Sequence, residues 1–312
     1  MFDMIQRDLI LKKILIKKKE DQDLRLDRWL RINYEYLTQS FIEKNLRKGN
    51  IKVNNKKIAS KYKIQLNDEI KIFNFSEITY KIKKTLKSKI IIPTRYKNLF
   101  NSSILYENDD FIILDKWTGI ATQGGSKINI SIDSIIKKIS DKYNLVHRLD
   151  RETSGLLIIA KNSFSTKYFG KLFKDHLVNK IYIAICQGKP KNNQSSIELL
   201  VSKKNDPKKY INTLTNYKVF QSKNNLSSII YTPKTGKTHQ IRIVSKHLSC
   251  PIVGDRKYNK DNKYNLESLK LNAHGLSFCY QDKNYEFFSV LPKHFENFLK
   301  NNKLKKINLT NF

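Results

Sequence analysis

The chain has 312 residues, of which 39% are hydrophobic and 11% aromatic, and this composition excludes a wholly disordered protein because it can form a buried core. Lysine and arginine number 60 against 28 aspartates and glutamates, and the formal net charge of +32 indicates a polyanionic partner such as nucleic acid. The three cysteines, Cys186, Cys250 and Cys279, form no CxxC pair, which excludes a disulfide scaffold and the common zinc folds. No metal site is predicted.

Residues 1–23 are predicted to be a solvated leader. Lys12 and Lys13 interrupt their apolar pieces, which argues against a secretory signal, and their five acidic residues argue against a mitochondrial presequence. Elsewhere the longest apolar runs, such as 156–160, are too short to span a bilayer. We therefore expect a cytoplasmic protein without a membrane partner.

Residues 24–72 have the pattern of a small basic module. Apolar side chains recur at helical spacing from Leu26, and Thr38 or Ser40 can cap a second helix that ends at Gly49. Short alternating segments after that glycine predict strands. The module carries twelve basic and five acidic residues, and this excess on two helices beside short strands favours contact with an RNA backbone.

The rest of the chain divides into a linker, a large module and a tail. Residues 73–100 contain seven basic residues and one acid without an amphipathic period, so they are predicted to be a basic linker. Residues 101–300 alternate irregularly between apolar strands, such as 156–160 and 181–188, and a helix that Ser163 can cap. This order predicts an α+β domain on a large mixed β-sheet. Residues 301–312 are predicted to be a basic tail.

Two segments of the large module concentrate reactive side chains. The segment 147–157 reads HRLDRETSGLL and places Asp150 between two arginines at the edge of an apolar strand. Alone it reads as an ordinary turn, but 235–242, TGKTHQIR, adds Lys, Thr, His, Gln and Arg before a predicted strand. An arginine from that second segment would favour the charged form of Asp150, as a nucleophile requires.

Nucleotide cofactors are not indicated by the glycine-containing segments. Gly236, Lys237 and Thr238 resemble the end of a phosphate-binding P-loop, but the glycine required five positions earlier is replaced by Tyr231. The chain also has no GxGxxG pattern, so a dinucleotide or methyl-donor loop is not predicted.

The small module resembles the S4 RNA-binding module. The resemblance is carried by LRLDRWLR, then LRKGNIKVNNKKI, then LNDEI. It implies phosphate contacts from five basic side chains: Arg25, Arg28, Arg47, Lys48 and Lys52. S4 modules accompany several kinds of enzyme, so this likeness implies binding of structured RNA and no particular chemistry.

The large module resembles the RluA family of pseudouridine synthases. HRLDRETSG is similar to the family's aspartate motif and NKIYIAICQG to its K-x-Y strand, while TGKTHQIR is similar to its third motif, with Lys237 where arginine is more usual. DKWTGIATQGGS is similar to its first motif, with Trp117 replacing the usual proline, and PIVGDRKY fits the stretch after the third. The likeness implies that Asp150 is the nucleophile, that Arg242 pairs with it, and that Tyr182 packs against the target base.

The same resemblance implies a substrate and further contacts. Uridine in RNA, with 23S ribosomal RNA of the large subunit favoured by GGS at 124–126 and LRKG at 46–49, would be isomerised in place. No cofactor is required for this reaction, and a monomer is expected. RNA contacts are expected from five further side chains, although each is also compatible with a structural role: His147, Arg148, Lys237, His239 and Gln240.

Two alternatives remain open at this point. An S4-linked RNA methyltransferase would need a glycine-rich methyl-donor loop, and a non-catalytic ribosome-binding or assembly factor would not need Asp150 in its motif. For the synthase, the sequence does not choose between attack of the aspartate on the sugar and attack on the base.

Overall fold

Two units make up the chain, Met1–Lys89 and Ile90–Phe312. The computed structural model describes residues 11–35, 37–81, 92–125, 130–203, 206–259, 263–264 and 266–307. None of the helices within these ranges is long and apolar enough to cross a membrane.

The first unit packs two helices against a three-stranded antiparallel sheet. The helices are α1 (Leu26–Asn33) and α2 (Gln39–Lys48), and the strands β1 (Lys12–Leu15), β2 (Ile51–Val53) and β3 (Glu69–Ile72) lie in the order β1-β3-β2. Thr38, rather than Ser40, caps α2, accepting a hydrogen bond of 3.2 Å from the Phe41 amide. Gly49 ends that helix with φ of +78°, a left-handed conformation that glycine adopts without a side-chain penalty.

The described part of the predicted leader belongs to this first unit. Strand β1 pairs along its whole length with β3, and Ile16 is buried in the same core as Leu26 and Leu30. The prediction of a solvated leader is therefore wrong for these residues. A short edge strand completes the sheet, and the isoleucine that follows it is buried. Residues 1–10 lie outside the described ranges.

The predicted linker is also shorter than expected. Phe75 and Tyr80 are buried, and Tyr80 contacts the ring of Tyr34 edge-on at 5.6 Å between centroids. At its other end, α3 (Thr94–Ser102) belongs to the second unit and buries Phe100. Only 82–91 of the linker prediction lies outside the described residues.

The second unit is built on a ten-stranded mixed sheet, as the sequence predicts. Its strand order is β4-β5-β7-β12-β8-β11-β10-β9, with β13 paired to β12 and β6 to β7. Only β7 and β12 pair in parallel among the described strands. The strands are β4 (Ile104–Glu107), β5 (Phe111–Lys116), β6 (Asn144–Leu145), β7 (Ser154–Ala160), β8 (Asn179–Gln187), β9 (Gln194–Lys203), β10 (Asp206–Lys223), β11 (Leu226–Pro233), β12 (Leu271–Tyr280) and β13 (Lys283–Phe288).

Helices cover both faces of the central strands. All seven residues of β7 are buried, because odd-numbered and even-numbered side chains face opposite sides of the sheet. Leu157 and Ile159 pack in one cluster with α4 (Ile132–Ile139), and Leu156 and Ile158 pack in another with α5 (Ser163–Lys174). Burial on both faces explains why this strand appears in the sequence as an unbroken apolar run.

Three local expectations in the second unit need correction. The predicted strand after TGKTHQIR is the helix α6 (Gln240–His247), and α5 is capped by Asn162 instead of Ser163. The predicted tail follows α7 (Lys293–Asn301) and buries Leu304 and Ile307 beside that helix. Residues 308–312 of the tail, and Ser126 of the GGS segment, lie outside the described ranges.

Candidate active site

A cleft of about 470 Å³ opens in the second unit between the loop that precedes β7, the first part of β8 and the segment that leads into α6. All eight residues of this unit that the sequence singled out line it: His147, Arg148, Asp150, Tyr182, Lys237, His239, Gln240 and Arg242. Of the described side chains that line the cleft, only Asp150 is acidic, so a single carboxylate lies among several cationic groups.

Arg242 links Asp150 to a second, buried carboxylate. Its Nη1 donates to Oδ2 of Asp150 at 3.2 Å, while Nε and Nη2 each donate to Asp255 at 2.8 Å. The Asp255 side chain is 0% exposed and the Asp150 side chain 27%. The two-pronged contact with Asp255 fixes the guanidinium plane, so Arg242 meets the exposed carboxylate in one orientation.

The electrostatics of this arrangement keep Arg242 charged. Burial alone would lower the pKa of its guanidinium, but hydrogen bonds to Asp255 and the charges of both aspartates raise it above the ordinary value. Burial would likewise raise the pKa of Asp255, and the bonds from Arg242 and the amides of Lys257 and Tyr258 lower it instead. The buried pair is thus an ionised anchor for the arginine.

His239 lies on the other side of Asp150. Its Nε2 is 3.7 Å from Oδ2 of Asp150, and its Nδ1 is 3.0 Å from the hydroxyl of Tyr258. His239 has φ of +58°, a costly conformation for a residue with a side chain, and it immediately precedes α6. Burial lowers the pKa of its imidazole, as do Arg242 and Lys257, while Asp150 acts in the opposite direction.

A loop from the first motif braces the loop that carries Asp150. The Thr122 hydroxyl donates to the Leu149 carbonyl at 2.7 Å and accepts the Leu149 amide at 3.1 Å. The Gly119 amide donates to the Arg151 carbonyl at 2.9 Å, and Nε of Arg151 donates to the Gly119 carbonyl at 3.0 Å. The residues on both sides of Asp150 are therefore held in place.

Lys116 adds a buried ammonium to the same brace. Its side chain is fully buried, and Nζ donates to the carbonyls of Trp117 at 3.1 Å, Ile120 at 3.2 Å and Arg151 at 3.4 Å. Burial lowers its pKa to about 7, against the opposing charges of nearby carboxylates that include Asp150. This lysine holds the shape of the loop in which Trp117 stands.

Gly155 allows β7 and β12 to approach closely just after the Asp150 loop. Its φ is +108°, and a Cβ atom at this position would lie 2.3 Å from the carbonyl oxygen of Ala273. Any side chain would push the two strands apart, so the glycine of the Thr-Ser-Gly sequence fixes where the loop ends and β7 begins.

Tyr182 reaches the cleft from β8. Burial raises the pKa of its hydroxyl well above the ordinary value, and the charge of Asp150 raises it further. The phenol therefore stays neutral at physiological pH and presents an aromatic ring to the cleft.

Two predicted RNA contacts are occupied within the protein. Gln240 is 4% exposed, its Oε1 accepts from Thr235 and the Lys237 amide, and its Nε2 donates to Leu214 and Thr215. This corrects the expected RNA contact, because the amide instead shapes the loop that leads to Arg242.

Nε2 of His147 accepts the Ile158 amide at 2.8 Å, and its ring stacks on Phe173. Burial, and then the charge of Lys180, lowers its pKa to about 3, so the ring is neutral. His147 therefore offers no charge to a phosphate. Arg148 is exposed and Lys237 half-buried at the cleft wall, where both remain candidates.

The five predicted RNA contacts of the first unit differ in their surroundings. Arg28, Arg47 and Lys48 are exposed, whereas Arg25 donates to Asp27 at 2.7 Å and Nζ of Lys52 lies 5.2 Å from the centre of the Phe73 ring. Arg25 is exposed as well, but it is paired with Asp27, so Arg28, Arg47 and Lys48 are the exposed candidates that no such ion pair engages among the described residues.

Four residues contribute to the site but were not predicted from the sequence: Asp255, Tyr258, Lys116 and Thr122. The signals were present, since Asp255 lies in PIVGDRKY and Lys116 and Thr122 lie in DKWTGIATQGGS. A buried carboxylate in a loop has no periodicity, however, so only the fold shows that Arg242 divides itself between two aspartates.

Comparison with known proteins decides the family. Residues 110–249 match the family model described as RNA pseudouridylate synthase. A Rickettsia bellii protein named ribosomal large subunit pseudouridine synthase C is 40% identical over 255 residues, covering 76% of this chain and 83% of that protein. The chain belongs to the RNA pseudouridine synthase family. A Buchnera aphidicola protein with the same name is 36% identical over 300 residues, covering 89% of this synthase and 93% of its relative.

Solved structures support the fold of the synthase unit. Human RNA Pseudouridylate Synthase Domain Containing 4 superposes with a TM-score of 0.61 at 22% identity, covering 69% of this chain and 98% of that one. Human RNA Pseudouridylate Synthase Domain Containing 1 gives a TM-score of 0.52 at 19% identity, with coverages of 66% and 96%. At these identities the likeness concerns the fold alone.

Proposed function

We propose that this synthase converts uridine to pseudouridine in RNA of the large ribosomal subunit, with Asp150 as the nucleophile. One observation carries the proposal: among the described residues that line the cleft, the one acidic side chain is held by an arginine that a buried carboxylate orients. The Arg242 guanidinium is thus in contact with the carboxylate that would attack the substrate.

The geometry leaves part of Asp150 free to react. Its Oδ2 accepts the bond from Arg242, whereas its Oδ1 has no hydrogen-bond partner among the described residues. The side chain remains partly exposed to the cleft. Because Arg242 is tied to Asp255, the carboxylate meets the substrate without first reorganising its own support.

The reaction needs a site that holds a detached base. The bond between C1′ of the ribose and N1 of uracil breaks, the base turns, and C5 bonds to C1′. The hydrogen on C5 leaves as a proton and N1 takes up a proton, so no atom is gained or lost. The target nucleotide must leave its stack to reach Asp150. Tyr182 supplies a neutral aromatic surface for the uracil ring, and Arg148 and Lys237 supply charge at the cleft wall.

The ribosomal substrate is inferred from relatives and from charge. Relatives at 36–40% identity are named ribosomal large subunit pseudouridine synthase C, and the net charge of +32 suits a polyanion. We further propose that the first unit is an S4-like RNA-binding module that docks on this RNA. A monomer acting in the cytoplasm, where ribosomal RNA is modified in bacteria, completes the proposal.

Tritium release tests this function directly. Ribosomal RNA of the large subunit, carrying tritium at C5 of its uridines, is incubated with the full chain, and the released tritium is counted. We expect release that stops at a small whole number of sites per RNA. Binding without release would instead favour a non-catalytic ribosome-binding or assembly factor.

A further inference from the structure

We propose that Lys180 binds a phosphate that flanks the target uridine, so that it and Tyr182 together hold the nucleotide at the cleft wall. The inference rests on the proposed function and adds a phosphate subsite to it. Both side chains line the cleft and come from the same strand, β8.

The strand geometry sets the spacing between the two contacts. Residues two apart on a strand point to the same face, and their Cα atoms are separated by about 6.6 Å. β8 pairs with β11 in unbroken register from Tyr182 to Gln187. It also pairs with β12 from Asn179 to Ala184, where a bulge on β12 between Ala273 and Gly275 shifts the register. A base against Tyr182 therefore places the phosphates on either side of its ribose within reach of the flexible Lys180 side chain.

Lys180 is a cation without an anion. Among the residues that the structure describes, no carboxylate lies within salt-bridge distance of its ammonium, and Asp150 is engaged by Arg242 and His239. The side chain is half-buried. Burial lowers the pKa of Lys180 and the charge of Lys234 lowers it further, so the unbound cleft disfavours its charge.

The neighbouring groups cannot supply the missing anion. His147 is neutral, with Nε2 accepting the Ile158 amide, and its ring stacks on Phe173 with centroids 4.6 Å apart. This wall beside Lys180 is therefore aromatic and uncharged, and Lys234 adds positive potential. A phosphate would relieve the unfavourable field at Lys180, whereas a neutral ligand would not.

The test couples the lysine to single phosphates. Full-length enzyme first converts large-subunit ribosomal RNA, and the modified uridine is mapped. Short RNAs containing this uridine are then made with an uncharged methylphosphonate at either its 5′ or its 3′ side. Affinities are measured for the wild type, Lys180→Met, Lys180→Arg, and Lys138→Met, which removes the same charge from an exposed position on α4 outside the cleft.

We expect Lys180→Met to bind the all-phosphate RNA about tenfold more weakly, and one methylphosphonate to weaken the wild type about equally. The two changes together should cost no more than either alone, while Lys180→Arg and Lys138→Met should stay near wild type. At saturating RNA, single-turnover rates of Lys180→Met should fall less than threefold, and its melting temperature should match that of Lys138→Met.

Four outcomes would overturn the inference. If the effects of Lys180→Met and of the methylphosphonate on affinity are additive at both positions, Lys180 contacts neither phosphate. Unchanged affinity in Lys180→Met would show the same. A collapse of turnover at saturation with unchanged affinity would place Lys180 in the chemistry. If the wild type converts no uridine at all, the proposed function fails and this inference fails with it. If the wild type converts uridine but the effects of Lys180→Met and of the methylphosphonates are additive, this inference alone fails.

Discussion

The two units use their positive charges in opposite ways. Arg28, Arg47 and Lys48 in the first unit are exposed, so each can contribute to RNA affinity separately. Arg242 in the second unit is 11% exposed and joins two carboxylates, so its position depends on its partners. The difference teaches that exposed cations supply salt-sensitive affinity, whereas a buried and oriented cation prepares a reactive group.

The largest effect is expected at the carboxylate itself. Asp150→Asn keeps the size and shape of the side chain but provides a very poor nucleophile, so tritium release should fall by about a thousandfold or more. RNA affinity and melting temperature should remain near wild type. Turnover within tenfold of wild type would remove Asp150 from its proposed role.

Arg242→Ala should impair both stability and turnover. It leaves the fully buried Asp255 without its cation, and breaking a buried pair in this way typically costs about 3–5 kcal/mol of unfolding free energy. Urea unfolding and tritium release measure the two consequences. Arg242→Lys is the matched control, because it keeps the charge but loses the two-pronged contact. Its stability and turnover should lie between those of the wild type and those of Arg242→Ala. Wild-type stability in the alanine variant would show that Asp255 has another partner.

Lys116→Met should have an intermediate effect. The methionine fills similar space but removes the donor to the carbonyls of Trp117 and Ile120, at roughly 1–3 kcal/mol for a buried polar group that loses its partner. The Arg151 carbonyl keeps only its bond from the Gly119 amide. We expect a lower unfolding free energy and slower turnover at saturating RNA, with RNA affinity preserved. Lys138→Met should change neither quantity. A variant with lowered stability and normal turnover would show that the brace does not position Asp150.

The smallest effects are expected from single charges in the first unit. Arg47→Gln and Lys48→Gln should each lower the slope of log affinity against log salt by about one, with turnover at saturating RNA unchanged. Lys13→Gln removes an exposed charge from the same unit on β1, which β3 separates from β2, and its slope should equal that of wild type. Equal slopes in all three variants would contradict RNA contact through α2.

The elements of the second unit that the sequence predicted best are those with repeated burial. β7 and β8 appear as apolar runs because neighbouring strands and helices bury them. The helix α6 was mistaken for a strand because Ile241 and Ile243 alternate with polar residues. In the structure the buried positions of α6 recur at helical spacing: Gln240, Ile241, Val244 and Ser245.

The sequence allowed the residues of the cleft to be predicted, but not the hydrogen bonds and ion pairs that connect them. Asp150 and Arg242 stand in recognisable segments, and the fold brings them together across 92 residues of sequence. The anchoring of Arg242 on Asp255 and the internal use of Gln240 depend on contacts between distant segments, which no local pattern encodes. β1 and the buried Leu304 were missed because each contributes too few apolar residues to show a period.

The central claim is that the first unit supplies affinity and the second unit the chemistry. A chain lacking residues 1–89 is compared with the full chain by salt titration of RNA binding and by single-turnover tritium release at saturating RNA. We predict weaker binding with a shallower salt slope and a turnover rate that falls far less than the affinity. A folded truncated chain that binds equally well, or one that shows no turnover at saturation, would contradict this division of labour.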